Sequence, residues 1–248
     1  MKGVIAVLLL ICAPAFARVR GVQHPQPDRI LWIGAHPDDE SLTAPILGPA
    51  CREQARVCSF LVFTHGERGD CFLPAGCGDL GSLRGGEMQS AANFIRAHLT
   101  LWSFSDVMTD VIATWSAEAG NRDTLIARIQ SVIAAENPTI IYTFDPNHGS
   151  TCHPAHRAVG ELVIEAVGGL KPAPHLMFVE TIAGDGFSLS GATAATAFAG
   201  NWNYLIDDLQ IHTSQFPPDV VDVLRRTPPA RQRVWLATIP AQDYSCAK

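Results

Sequence analysis

The chain has 248 residues, 47% of them hydrophobic and 17% charged, and its 18 Lys+Arg against 24 Asp+Glu give a formal net charge of -6. That apolar content supports a packed core and excludes a disordered chain. The acidic balance, without clustered Lys or Arg, excludes a surface built for the phosphate backbone of nucleic acid.

The first segment reads as an address. Lys2 supplies a short positive region, Val4 to Ile11 an apolar stretch, and Ala15-Phe16-Ala17 the small-x-small pattern that signal peptidase cleaves. The apolar stretch is too short to span a bilayer, and no later segment spans one without a charge or a breaker. Ile11 before Cys12 also argues against a lipid anchor at that cysteine. The expectation is a signal peptide over residues 1–17 and one exported domain over 18–248, periplasmic or secreted, with no transmembrane segment in the mature chain. Of the 7 cysteines, Cys12 leaves with the signal, and the remainder form an even set suited to an oxidising compartment. Local spacing favours Cys51–Cys58 and Cys71–Cys77, which leaves Cys152 to hold the tail through Cys246.

Arg29 to Ala35 is a short apolar run of the kind found in a buried strand. Ser41 to Ala55 reads as a helix that Pro45 and Pro49 disturb in its first half. Val57 to Thr64 is a second buried strand, followed by a Gly- and Cys-containing loop from His65 to Gly81. Ser82 is the expected cap of the next helix, and Leu99 to Phe104 a third strand. Asp123 to Asn137 is an amphipathic helix ended by Pro138, and Thr139 to Phe144 a fourth strand. His153 to Gly168 is again helical, and Leu176 to Ile182 a fifth strand. Beyond Gly184 the pattern weakens, apart from a short helix at Asp219 to Arg226 and an apolar run at Val234 to Ile239. This alternation predicts an α/β fold, a Rossmann-like doubly wound and mostly parallel sheet in a single domain.

Such sheets bind ligands beyond the carboxyl ends of their strands. Three of those positions are crowded with ionisable groups: His36-Pro-Asp-Asp-Glu40, Thr64-His-Gly-Glu-Arg68, and Asp145-Pro-Asn-His-Gly149 running into His153. The Gly-rich dinucleotide and nucleoside triphosphate loops are missing, as is a G-x-S-x-G nucleophile elbow. His36 and Asp39 are three residues apart, so a helical turn from Pro37 brings imidazole and carboxylate together, a donor pair suited to Zn²⁺. Asp38 stays within reach of a water at that centre, where a general base belongs. His153-Pro154-Ala155-His156 offers a second i, i+3 pair. One histidine would complete a three-ligand site, and the other would polarise a carbonyl or stabilise an oxyanion. The plain alternative for either motif alone is an N-cap with surface histidines.

These residues resemble the PIG-L/LmbE-like zinc-dependent N-acetylglucosaminyl deacetylases. A-H-P-D-D-E follows the first strand, T-x-G-E (Thr64, Gly66, Glu67) the second, R-x-x-E (Arg84, Glu87) sits on the next helix, and H-x-x-H (His153, His156) follows the Asp145-Pro146 loop. The resemblance covers roughly the first two thirds of the mature chain. It implies one Zn²⁺ held by His36, Asp39 and His156, with Asp38 as general base and later acid, and His153 as electrostatic partner of a tetrahedral intermediate. It also implies a substrate-contacting role for Arg84, whose alternative is a salt bridge with Glu87. Glu40 and Glu67 read as structural carboxylates. The implied reaction is hydrolysis of an N-acetyl group on a small-molecule or glycan substrate carrying N-acetylglucosamine. Many members have Asp between the two histidines, where this chain has Ala155. His65, His148 and Trp202 are further candidates for a sugar site.

Overall fold

In the computed structural model, residues 28–183, 195–228, 232–241 and 246 are described. The expected signal peptide lies outside them. Seven strands form one sheet: β1 (Arg29–Gly34), β2 (Val57–Thr64), β3 (Ala97–Phe104), β4 (Ile140–Phe144), β5 (His175–Ala183), β6 (Ala195–Ala199) and β7 (Arg233–Ala237). Their order is β3-β2-β1-β4-β5-β7-β6. The first five strands run parallel, and β7 and β6 close one edge antiparallel. The described residues therefore form one Rossmann-like α/β domain with a mostly parallel sheet.

The helices are α1 (Ala44–Leu47), α2 (Leu80–Ile95), α3 (Val111–Ala119), α4 (Arg122–Glu136), α5 (Pro154–Gly168), α6 (Trp202–Ile211) and α7 (Pro218–Arg226). Side chains alternate across a strand, so β1 serves two cores at once. Leu31 and Ile33 face Trp115, Leu125, Ile129 and Leu162 from α3, α4 and α5. Ile30 and Trp32 face Leu47, Met88 and Ile95 from α1 and α2. Covered on both faces, β1 has no need of polar residues, which is why it reads as a continuous apolar run. α5 lies so close to β4 that a Cβ on Gly160 would collide with the carbonyl oxygen of Phe144.

Local chemistry departs from expectation in two places. The helix expected from Ser41 is broken into a 3₁₀ turn at Asp39–Leu42, the short α1, and a wide turn at Gly48–Glu53. Pro45 and Pro49 bring no N–H to a continuous ladder there. The cap of α2 is Asp79, whose carboxylate accepts from the backbone N–H of Ser82, so Ser82 is already inside the helix. The three disulfides Cys51–Cys58, Cys71–Cys77 and Cys152–Cys246 are present as expected. Among the described residues no helix is long and apolar enough to cross a membrane.

Because β1 has β2 on one side and β4 on the other, the chain reverses its direction of winding between β1 and β4. At that switch point the loops after the two strands diverge and leave a crevice. Both histidine motifs open into it.

Candidate active site and metal centre

The loop after β1 folds around its own aspartate. Asp39 Oδ2 accepts the backbone N–H groups of Ala35 and His36 at 2.7 and 2.8 Å. That local turn anchors one carboxylate oxygen and presents the other. Asp39 Oδ1 stands 3.0 Å from His156 Nε2 and 3.7 Å from His36 Nδ1, and the two nitrogens are 3.2 Å apart. Ligand atoms about 2.1 Å from a tetrahedral zinc are themselves about 3.4 Å apart, so the triangle has the right size for that ion.

Surrounding groups fix the donors. His156 Nδ1 lies 3.0 Å from the carbonyl oxygen of Gly149 and donates to it, which leaves the Nε2 lone pair for the centre. Its ring stacks on Phe144 at 4.0 Å. His36 Nε2 lies 3.3 Å from Asp106 Oδ1, the carboxylate–histidine arrangement that orients a metal-binding imidazole. Asp106 is held in turn, its backbone N–H bonded to Glu67 Oε1 at 2.8 Å.

Charge points the same way. Burial opposes a charge on His36, but the Asp39 and Asp106 carboxylates outweigh it and push its pKa up to about 10. Burial likewise would raise the Asp39 carboxyl, and His156 and His36 instead hold it well below the usual range. The carboxylates thus demand positive charge at this buried point, and the donor set N, N, O fits Zn²⁺.

His153 caps α5 with its ring, Nδ1 accepting the backbone N–H of Ala155 at 3.2 Å. A neutral ring must then carry its proton on Nε2. Burial, followed by the neighbouring His36 and His156, pushes its pKa down to about 4, so the ring is neutral at physiological pH. It packs edge-on against His36 at 4.7 Å and lines the pocket.

Asp38 is the strained residue of the loop, with φ of 105° and ψ of -16°. Positive φ is uncommon outside glycine and is tolerated best by Asp and Asn. Burial pushes its pKa up to about 6, against the pull of Arg84 and with the help of Asp39.

Arg84 is buried and lines the pocket, and both of its terminal nitrogens are engaged within the protein. Nη2 donates to the carbonyl oxygen of Pro37 at 2.6 Å and pairs with Asp38 Oδ2 at 3.2 Å, while Nη1 donates to the carbonyl oxygen of Gly66 at 2.8 Å. A Cβ at Gly66, whose φ is +62°, would collide with Nη1. The Glu87 bridge considered for Arg84 does not form. Glu87 instead accepts from Thr213 and from the hydroxyl and backbone N–H of Ser214.

The site brings together the six residues given catalytic, metal-binding or substrate-binding roles in the sequence reading. His36, Asp38, Asp39, Arg84, His153 and His156 line one pocket of about 250 Å³, with Arg68, Asp106, Met108 and Gln215 also on its wall. Asp106 and Gln215 were not anticipated. Asp106 lies two residues past the end of the third strand, so its signal is its place near another strand end. Gln215 follows α6 in a region without a motif. His65, His148 and Trp202 are absent from this wall. His148 is buried against Glu180 at 2.6 Å, Trp202 packs with Leu205, Val221 and Leu224, and His65 lies against the carbonyl oxygen of Gly81.

A switch-point crevice on a mostly parallel sheet, with two imidazoles and a carboxylate converging beside a second carboxylate, has the layout of a metal-dependent α/β hydrolase. The family described as PIG-L, GlcNAc-PI de-N-acetylase, matches residues 31–167, and the chain belongs to it. It is 32% identical over 177 residues to the 1D-myo-inositol 2-acetamido-2-deoxy-alpha-D-glucopyranoside deacetylase of Corynebacterium urealyticum, covering 61% of this chain and 52% of that one. The chain thus spans about half the length of the curated relatives it matches. Among solved structures, the N,N'-diacetylchitobiose deacetylase of Pyrococcus horikoshii aligns with a TM-score of 0.56 and 18% identity, over 79% of this chain and 74% of that one. A deacetylase from the biosynthesis pathway of teicoplanin, in complex with teicoplanin, aligns at 0.61 and 15%, over 87% and 99%. These two likenesses are of fold.

Proposed function

We propose that this chain is an exported, zinc-dependent N-deacetylase that removes an acetyl group from an N-acetylglucosamine-type sugar or glycoconjugate. The observation that carries the reading is the triangle of His36 Nδ1, Asp39 Oδ1 and His156 Nε2 with sides of 3.0 to 3.7 Å, next to a carboxylate that is not part of it. Family membership and the names of the curated relatives support the bond and the sugar. The leader pattern and three disulfides support export.

A zinc ion bound by those three residues supplies Lewis acidity and lowers the pKa of water towards ~7. The chain does the rest. Asp38 accepts the proton of the attacking water. His153, neutral with its proton on Nε2, donates a hydrogen bond to the oxyanion as the acetyl carbon becomes tetrahedral. The C–N bond then breaks, Asp38 returns its proton to the leaving nitrogen, and acetate and a free amine depart. Arg84 keeps Asp38 in place throughout.

The test is acetate release from N-acetylglucosamine and its short oligomers by metal-free protein, then by the same protein with zinc restored. Release that depends on zinc is the expected result. One equivalent of tightly bound zinc without release from any acetylated sugar would overturn the sugar assignment and leave another acyl-amide as substrate. Protein recovered outside the cytoplasm should begin at Arg18.

A further inference from the structure

The Pro37–Asp38 peptide is held at both of its polar atoms. Its carbonyl oxygen accepts from Arg84 Nη2 at 2.6 Å, and its N–H donates to Glu40 Oε2 at 3.2 Å. A peptide is planar, so holding both ends fixes the orientation of the whole unit. The next bond is the one whose rotation gives Asp38 its φ of 105°.

Glu40 does not stand alone. Its other oxygen, Oε1, lies 2.6 Å from His212 Nε2, and both side chains are fully buried. His212 caps the C-terminal end of α6, more than forty positions past the family match at residues 31–167. Asp208, one turn earlier on α6 and equally buried, places an oxygen within 4.8 Å of both partners. The same stretch continues into Thr213 and Ser214 on Glu87 and into Gln215 on the pocket wall. Among the described residues, the C-terminal region, which carries no motif, reaches the loop after β1 through the buried His212–Glu40 hydrogen bond.

We propose that His212 and Glu40 are positioning residues for Asp38: His212 holds Glu40, and Glu40 with Arg84 clamps the Pro37–Asp38 peptide so that the Asp38 carboxyl stays aimed at the reacting water. This rests on the reading of Asp38 as general base. Neither residue touches substrate. Their contribution lies in keeping a strained backbone in the one conformation that points the base correctly, and a displacement of about 1 Å at such a group can cost on the order of a hundredfold in rate.

The experiment compares His212→Ala, His212→Gln and Asp208→Asn with wild-type protein on an acetylated sugar. It records kcat, KM, bound metal per chain and hydrogen exchange of the Asp38 amide in the peptide spanning residues 36–42. Wild-type turnover is the reference for the base assignment itself, and without it that reading fails first. With it, His212→Ala should lose about tenfold or more in kcat at unchanged KM and metal content, with faster exchange at the Asp38 amide. His212→Gln, whose amide can still donate to Glu40, should recover most of both. Ile129→Ala in α4 is the control for destabilisation alone and should leave kcat and the Asp38 amide unchanged. An active wild type with unaltered kcat and exchange in His212→Ala would overturn the proposal. So would a second metal equivalent in the wild type that Asp208→Asn removes, because Glu40, Asp208 and His212 would then be ligands. Should His212→Ala not fold, the Gln variant decides: retained kcat with a slow Asp38 amide supports the clamp, and lost kcat with that amide still slow refutes it.

Discussion

At Asp38 a chemical requirement and a conformational one meet in a single side chain. The left-handed backbone costs on the order of 1–3 kcal/mol for a non-glycine residue and persists because neighbouring groups over-determine it. Asparagine tolerates the same conformation but cannot take up a proton. Asp38→Asn should therefore fold, keep its zinc by elemental analysis, and lose about 10²–10⁴ in kcat. Near-wild-type turnover in that variant would remove Asp38 from the base role. Asp106 acts one bond further out, on His36 Nε2. Asp106→Asn should weaken zinc about 10–100-fold in competition with a chelating dye, and an unchanged affinity would mean that His36 needs no such partner. The two aspartates also show where reading from the chain succeeds. Asp38 stands inside a block of six consecutive residues whose types and spacing announce a metal site. Asp106 meets His36 only because β3 and β1 lie in one sheet, 70 positions apart in the chain, and no local pattern encodes that meeting.

Strands were the legible elements, for a physical reason. β1 and β2 are buried along nearly their whole length, so burial writes itself into the chain as dominantly apolar runs. α3 and α6 went unread. α3 begins Val-Ile-Ala-Thr-Trp, rich in β-branched and aromatic types that favour strands in isolation, and it is helical through packing of Val111 and Trp115. α6 did carry a signal, an Asn201 cap followed by buried Trp202, Leu205, Ile206 and Leu209 at helical spacing. The Gly-, Ala- and Thr-rich chain before it obscured that signal. α6 also brings a pH dependence. Burial would lower the His212 pKa, yet Glu40, then Asp208 and Asp38, raise it to about 9. Burial and the nearby Glu40 also hold Asp208 well above the carboxylate range. A folded-state pKa above the unfolded value of about 6.5 gives stability that is complete below pH ~6.5 and lost as pH climbs through about 9. The thermal midpoint of metal-free protein should fall between pH 7 and 10, and His212→Gln should flatten that slope. Parallel slopes in the two proteins would place the dependence elsewhere.

On the scale of the whole domain, the loops forming the crevice are fastened from behind. Cys152–Cys246 spans 94 positions and joins the residue preceding His153 to the end of the chain. Closing a loop of that length is worth about 4.7 kcal/mol on the chain-entropy account. The double variant Cys152→Ser, Cys246→Ser should accordingly unfold at lower denaturant concentration, and an unchanged midpoint would mean that the bridge constrains little. The other disulfides are short clips. Cys71–Cys77 closes the loop after β2, which is pinned to the far end of the chain where Phe72 donates to Ser214 and Gln215 to Asp70.

The bridge from Cys152 to Cys246 also decides how the protein can be handled. Arg29 enters β1 at the opposite end of the parallel sheet from the crevice, whereas Cys246 Sγ lies 3.7 and 3.9 Å from the carbonyl oxygens of Asn147 and His148, beside its mouth. A reporter or affinity handle joined just after Cys246 would be tethered beside the loop that leads into His153 and would compete for space with a bulky substrate. Anchoring the protein to a bead or electrode at the Arg29 end of β1 instead turns the crevice outward, towards the solution it has to sample.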